Sequence, residues 1–255
     1  MMFPKISIIT VCYNAETVIE RTMQSVLNQT YSNIEYIFID GKSTDNTVKI
    51  IGGYMETSKS QECSHIQIVL QSEPDKGIYD AMNKGLSLAT GDYVWFINAG
   101  DEIYEPTTLE KLIPHFQQNA DVIYGDMARI DQHQNILGSA IQRPPKKFTW
   151  KSFRMGMIVC HQSILISCKI APKYDLQYKI CADIDWAIQT MKRAKIICNS
   201  QQILSRFLIG GFSKQREKQA WKERYVIMKQ HYGLMQTLLF HVLIGFRYIF
   251  KIKPS

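Results

Sequence analysis

The stretch Ile6-Ser7-Ile8-Ile9-Thr10-Val11-Cys12-Tyr13-Asn14-Ala15-Glu16 decides how the rest of the chain reads. Its β-branched run predicts a strand over about 6–13. Val18, Ile19, Met23, Val26 and Leu27 then recur near the helical period and predict a helix over about 16–28, with Asn14 as its N-cap. The same alternation continues, with strands expected at about 35–40, 66–71, 92–97 and 121–125 and helices at about 44–56, 78–89 and 107–118. Strands alternating with helices are the pattern of βαβ units, so the fold class is α/β around a mostly parallel sheet. Beyond Gly125 the alternation weakens, and Arg143-Pro144-Pro145-Lys146-Lys147 breaks whatever precedes it. A strand near 157–166, a helix near 182–193 and a strand near 195–199 complete the expected core.

The chain has 255 residues, 45% of them hydrophobic, enough for one sizeable core. No internal repeat or low-complexity tract points to a solenoid or fibre. The six cysteines form no CxxC pair and sit mostly in apolar runs, which fits a reducing cytoplasm. Met1 leads within a few residues into the first strand, without the basic and apolar regions of a signal peptide, so a protein that is not exported is expected. The net charge of +7 is uneven: residues 206–255 carry 10 Lys and Arg against 2 Asp and Glu, leaving the preceding body at −1. A near-neutral body argues against a nucleic-acid partner, and a cationic, apolar end suggests an anionic membrane surface.

Parallel strands deliver ligand-binding residues at their carboxyl ends. After the first four expected strands come Tyr13-Asn14-Ala15-Glu16, Asp40-Gly41-Lys42-Ser43-Thr44-Asp45, Glu73-Pro74-Asp75-Lys76-Gly77 and Asn98-Ala99-Gly100-Asp101-Glu102. Carboxylates crowded at one edge need a cation, and hard oxygen ligands suit Mg²⁺ or Mn²⁺ bridging to phosphates. A metal-bound nucleotide diphosphate is the guest this chemistry favours. Asp45 and Asp75, taken singly, read equally well as helix caps or turn formers.

Four segments then narrow the reading: Ser7 to Asn14, Ser25 to Tyr31, Asp40 to Thr47 and Asp75 to Gly85. With Ala89 to Asp101, they resemble the family 2 glycosyltransferases in composition and order. The resemblance implies a GT-A fold, Rossmann-like, with a nucleotide-sugar-binding half over 1–125 and an acceptor half over 126–232, and the sequence beyond it reads as an apolar, basic C-terminal helix over 233–255. It implies that Tyr13, Asn14 and Asp40 hold the base and ribose, and that Asp101 binds the cation on the sugar-nucleotide diphosphate. Gly100 departs from the pattern, because many members carry an aspartate there that contacts the ribose. Gly100 then offers close backbone approach, and Asn98, Glu102 or Asp75 the replacement polar contact. His161, followed by Gln162, matches a recurrent position where an imidazole can reach phosphate, acceptor or metal. Asp183, in Cys181-Ala182-Asp183-Ile184-Asp185-Trp186, matches the general base, with Asp185 as competitor. Gly210-Gly211-Phe212-Ser213 resembles a late loop that closes over donor and acceptor.

The activity implied is an inverting, metal-dependent transfer from a nucleotide-sugar donor, UDP-linked by family frequency, to a glycan hydroxyl, with a lipid-linked acceptor of surface polysaccharide synthesis. A sugar nucleotidyltransferase and a catalytically degenerate, membrane-docked nucleotide-binding module are the alternatives. Neither G-x-G-x-x-G nor G-x-x-x-x-G-K-[ST] occurs, which removes dinucleotide oxidoreductases and P-loop NTPases. The cysteines and histidines do not cluster at zinc-ligand spacing. The apolar run Leu234 to Phe250 is at the short limit for a membrane span. It reads as an in-plane helix making peripheral contact through 234–253 at the inner face of the cytoplasmic membrane, or as a helix packed on the body or on a second subunit.

Overall fold

The computed structural model describes residues 3–60, 66–139, 144–209 and 217–249. In chain order the elements are β1 (Ile6–Cys12), α1 (Ile19–Leu27), β2 (Ile34–Asp40), α2 (Thr47–Ser60), β3 (Ile66–Ser72), α3 (Ile78–Leu88) and β4 (Tyr93–Phe96). There follow β5 (Glu102–Ile103), α4 (Ile113–Gln117), β6 (Val122–Ile130), β7 (Ile136–Ser139), β8 (Ile164–Ser167), α5 (Ala182–Arg193), β9 (Ile197–Leu208), α6 (Glu217–Tyr232) and α7 (Leu234–Ile249). The strands form one sheet in the order β3-β2-β1-β4-β8-β6-β9-β5, with β7 added to β6.

β1, β2, β3 and β4 run parallel, so their carboxyl ends share one edge: Cys12 is level with Asp40, and Asp40 with Ser72. The chain moves outward from β1 to β3 and then returns to the other side of β1 as β4. Such a reversal opens a crevice at the strand ends, here between the loops after β1 and β4. β1 and β2 are buried along their whole length, as expected of strands covered on both faces. One face packs Ile9, Ile37, Met82 and Phe96 against α3 and α5, and the other packs Ile8, Tyr36, Phe38 and Trp95 against α1 and α2.

At the opposite edge, Glu35 ties the sheet together. It accepts hydrogen bonds from Ser7 Oγ (2.6 Å), Thr90 N (2.9 Å), Thr90 Oγ1 (2.6 Å) and Lys5 Nζ (2.9 Å). These donors outweigh its burial and hold its carboxyl down at about 2.

Several expectations need correction. Asn14 does not cap α1, which begins at Ile19. Asn14 instead has φ 47° and turns its side chain to Thr44. The strand expected at 157–166 forms only from Ile164, because Cys160 to Ser163 make a single 3₁₀ turn that swings His161 and Gln162 inward. β9 starts at Ile197, inside the expected 195–199, and runs nine residues beyond it to Leu208, stabilised by parallel pairing with β6, a long-range contact that local pattern does not reveal. The helix expected at 107–118 is split into a 3₁₀ turn and the short α4 by Pro114. The hairpin strand β7 and the helix α6 had no counterpart among the sequence expectations.

Because Glu35 titrates at about 2 in the fold and near 4.5 when free, its stabilisation is complete above 4.5 and is lost as the pH falls through that window. Glu35→Gln should therefore cost about 2 kcal/mol at neutral pH. It should also flatten the acid limb of the stability curve, as read by urea unfolding at neutral and acid pH.

Candidate active site

The loop after β1 is held by the loop after β2. Gly41 N donates to Cys12 O (2.9 Å), Asn14 N to Ser43 Oγ (2.8 Å), Thr44 N to Asn14 Oδ1 (2.9 Å) and Glu16 N to Asp45 Oδ2 (3.0 Å). Asp40 is fully buried beneath them. It accepts from Ser43 N (2.9 Å), Ser72 Oγ (2.6 Å) and Ser43 Oγ, and so ties the loop after β2 to the end of β3. Asp45 is absorbed structurally, accepting from Thr47 N (2.9 Å) at the start of α2.

Above this base the ring of Tyr13 is 64% exposed. Asp75 accepts from Gly77 N (2.8 Å), and its other oxygen lies over Gly41. A Cβ at Gly41 would stand 2.5 Å from Asp75 Oδ2 and 3.3 Å from Tyr13 Cδ2. Gly41 is thus the floor over which an aromatic face and a carboxylate approach each other. A planar, hydrogen-bonding ring such as a nucleobase matches that pair.

The second group surrounds the turn after β4. Asp101 N donates to Asn98 O (2.9 Å), closing the turn. The Asp101 carboxylate is buried, accepting from Leu208 N (3.1 Å) at the end of β9 and from Gln162 Nε2 (2.8 Å). His161 Nε2 stands 3.5 Å from Asn98 Nδ2, and His161 Nδ1 stands 3.8 Å from Asp183 Oδ2. Asp183, in the first turn of α5, is held through Oδ1 by Ile184 N (3.0 Å) and the Tyr79 hydroxyl (3.2 Å). Its Oδ2 therefore faces the crevice. Asp185 points away: it is 1% exposed and bonded to His231 Nε2 (2.6 Å) and Gln189 Nε2 (2.6 Å).

Gly100 does not face this group. Its φ is +98°, its N–H donates to Thr22 Oγ1 (2.9 Å), and a Cβ would meet Leu208 at 3.1 Å. A left-handed residue packed on β9 favours glycine, so the departure at this position is built into the turn.

Burial pushes the Asp101 carboxyl up to about 7, against the opposing pull of its two hydrogen bonds and of His161 and Arg21. A buried carboxylate so short of positive charge is suited to a divalent cation. Asn98 Oδ1, in the same turn, is buried with no partner. Among the described residues no three His, Cys, Asp or Glu side chains converge as a closed metal cage. One carboxylate and one amide oxygen, with phosphate oxygens and water completing the shell, is the manner in which Mg²⁺ is commonly held. The residues present fit that group.

The structure thus gathers Tyr13, Asn14, Asp40 and Asp75 into one cluster and Asn98, Asp101, His161 and Asp183 into another, along the same sheet edge. Gln162 and Tyr79, which orient Asp101 and Asp183, had no role assigned from sequence. Their signal was their position beside or inside segments already singled out. Gly210-Gly211-Phe212-Ser213 lies outside the described residues.

A parallel sheet with its polar loops at the switch point, extended by a mixed second half, is the GT-A type of glycosyltransferase fold. Residues 7–171 match Glycosyl transferase family 2, and the chain belongs to that family. It is 28% identical over 210 residues to a PGL/p-HBAD biosynthesis glycosyltransferase of Mycobacterium bovis (strain BCG / Pasteur 1173P2), covering 80% of this chain and 76% of that protein. The crystal structure of S. aureus TarS 1–349 in complex with UDP-GlcNAc superposes with a TM-score of 0.70 at 17% identity, over 89% of this chain and 65% of that one. The mannosyltransferase PcManGT from Pyrobaculum calidifontis, in complex with GDP-Man and Mn²⁺, superposes with a TM-score of 0.61 at 16% identity, over 95% of this chain and 65% of that one. The chain therefore spans just under two thirds of the length of these two solved structures.

A divalent cation at Asp101 must displace the proton that the carboxyl retains below about 7. Mn²⁺ affinity should fall about tenfold for each pH unit below that point. Titrations between mildly acid and mildly alkaline pH would read this slope, and Asp101→Asn should abolish it. Gly41→Val should displace Asp75 and Tyr13 and weaken nucleotide binding about tenfold or more, with little change in unfolding temperature.

Proposed function

We propose that the chain is an inverting glycosyltransferase that moves a sugar from a nucleotide diphosphate donor to a hydroxyl of a lipid-linked glycan. The observation that carries this reading is the placing of Asp101 and Asp183 on either side of His161, at the edge where the Tyr13, Gly41 and Asp75 cleft opens. The base lies against Tyr13 with Asp75 at its rim. Asn14 and Asp40 act through the loop they hold, Gly100 shapes the turn by packing on β9, and Asn98 and His161 border the diphosphate and sugar. UDP is the favoured nucleotide, in keeping with the UDP-GlcNAc complex of the similar TarS fold.

Asp183 Oδ2 accepts the proton of the acceptor hydroxyl as that oxygen attacks the anomeric carbon. The bond from this carbon to the diphosphate oxygen breaks, and its electron pair leaves with the diphosphate. Attack opposite the leaving group inverts the anomeric centre. Asp101 and Asn98 would hold Mg²⁺ or Mn²⁺, which when bound would supply positive charge to neutralise the departing diphosphate. Tyr79 and His161 orient Asp183, and Gln162 orients Asp101. Peripheral contact of 234–253 with the inner face of the cytoplasmic membrane would bring the enzyme to its acceptor.

Calorimetric titration with UDP, GDP and dTDP, each with and without Mn²⁺, tests the donor site. One nucleotide should bind with Mn²⁺-enhanced affinity, and failure of all three in folded protein would overturn the reading. Asp183→Asn should keep nucleotide affinity and lower transfer by about 10²–10⁴-fold. Unchanged transfer would remove Asp183 as the base.

A further inference from the structure

The helix α7 is apolar on two opposite sides. Thr237, Phe240, His241 and Ile244 recur at helical spacing and turn inward. Thr237 is buried, the Arg154 guanidinium lies 5.6 Å from the Phe240 ring centre, and the His241 ring lies 5.5 Å from that of Tyr225 on α6. This stripe seats α7 on the body. The other stripe, Met235, Leu238, Leu239 and Val242, is 80%, 46%, 57% and 69% exposed, and Leu243 stands beside it. On α6, Trp221 and Val226 are also about half exposed, interleaved with exposed Lys218, Lys222 and Lys229. A solvent-facing helix that has already buried one apolar stripe has no need of a second, and a contiguous exposed patch of this kind marks a docking face.

Charge decides between occupants. The segment 206–255 carries a net charge of +8. Pairing of α7 with its own copy about a two-fold axis would bring two such segments together. An anionic lipid surface neutralises the same charge while accepting the apolar side chains. Among the described residues no helix is long and apolar enough to cross a membrane, so the geometry is that of a helix lying in the interface.

The platform is joined to the acceptor side of the cleft. Glu223 of α6 accepts from the backbone N–H groups of Lys179 (3.0 Å), Ile180 (2.8 Å) and Cys181 (3.0 Å), and His231 holds Asp185. These bonds fix α6 to the residues on either side of Asp183.

We infer that the α6–α7 hairpin is an interfacial platform that seats the protein on an anionic bilayer, and that the acceptor reaches Asp183 from that bilayer. The inference rests on the reading of the acceptor as lipid-linked. Full-length protein should co-sediment with phosphatidylcholine vesicles containing about 30% phosphatidylglycerol and far less with phosphatidylcholine alone, and salt should weaken binding. Trp221 fluorescence should shift to the blue on binding, since Trp95 and Trp186 are already buried and Trp150 is partly buried and stacked on Tyr232. Leu239→Asp with Val242→Asp should weaken vesicle binding about tenfold or more, because both side chains face solvent and neither holds the fold. Lys218→Glu with Lys222→Glu should remove the preference for anionic lipid. UDP affinity should stay unchanged in all four substitutions, which separates failure of the platform from failure of the donor site. Absence of vesicle binding, binding indifferent to Leu239→Asp and Val242→Asp, or a dimer in sedimentation velocity that these substitutions dissolve would each overturn the inference.

Discussion

The cost of burying one carboxylate organises the functional half of this molecule. Asp101 lies where β4 ends, with almost no access to water, and its charge must be met by what the fold brings to it. The fold brings the Leu208 amide from the end of β9 and the Gln162 amide from the turn before β8. β8 reaches that position by pairing antiparallel to β4 and β6, and β9 by pairing parallel to β6. Two hydrogen bonds do not fully offset desolvation, so the carboxyl holds its proton to about 7. A group left short of charge in this way is readily protonated on the acid side of neutrality and suits a cationic partner.

The crevice is built from two kinds of restraint. At the end beside β1 and β2, Asp40 and Asn14 spend their hydrogen-bonding capacity on neighbouring loops, leaving Tyr13 and Asp75 to face outward over Gly41. At its other end, Asp183 is held by Tyr79 and by its own helix, with one oxygen toward His161. The helical hairpin behind α5 is tied to the same turn through Glu223 and His231, so its surface is coupled mechanically to the residues flanking Asp183. Glu35 performs a comparable service at the far edge, drawing β1, β2 and the turn before β4 onto one carboxylate.

How much was legible in advance follows from the range of the forces involved. Strands β1 to β4 and helices α1 to α3 are built from contiguous apolar runs and helical periodicity, and these local signals located them to within a few residues. Helix α5 was equally plain. The 3₁₀ turn at His161 was not, since Val159 and Cys160 continue an apolar run that ends in a turn only because Gln162 is drawn to Asp101 and Trp95. The extent of β9 depends on β6, and the faces of α7 depend on what α6 and Arg154 cover, none of which is written in local order.

By itself, the sequence determined the α/β alternation, the order of the polar loops at the strand ends, the family, and the concentration of positive charge beyond residue 205, because each of these resides in contiguous residues. Only the tertiary structure buried Asp185 against His231 and left Asp183 beside His161, turned Gly100 toward β9, gave Gln162 and Tyr79 their partners and left one stripe of α7 in water. Those outcomes depend on contacts between segments far apart in the chain, where burial and pairing outweigh local preference.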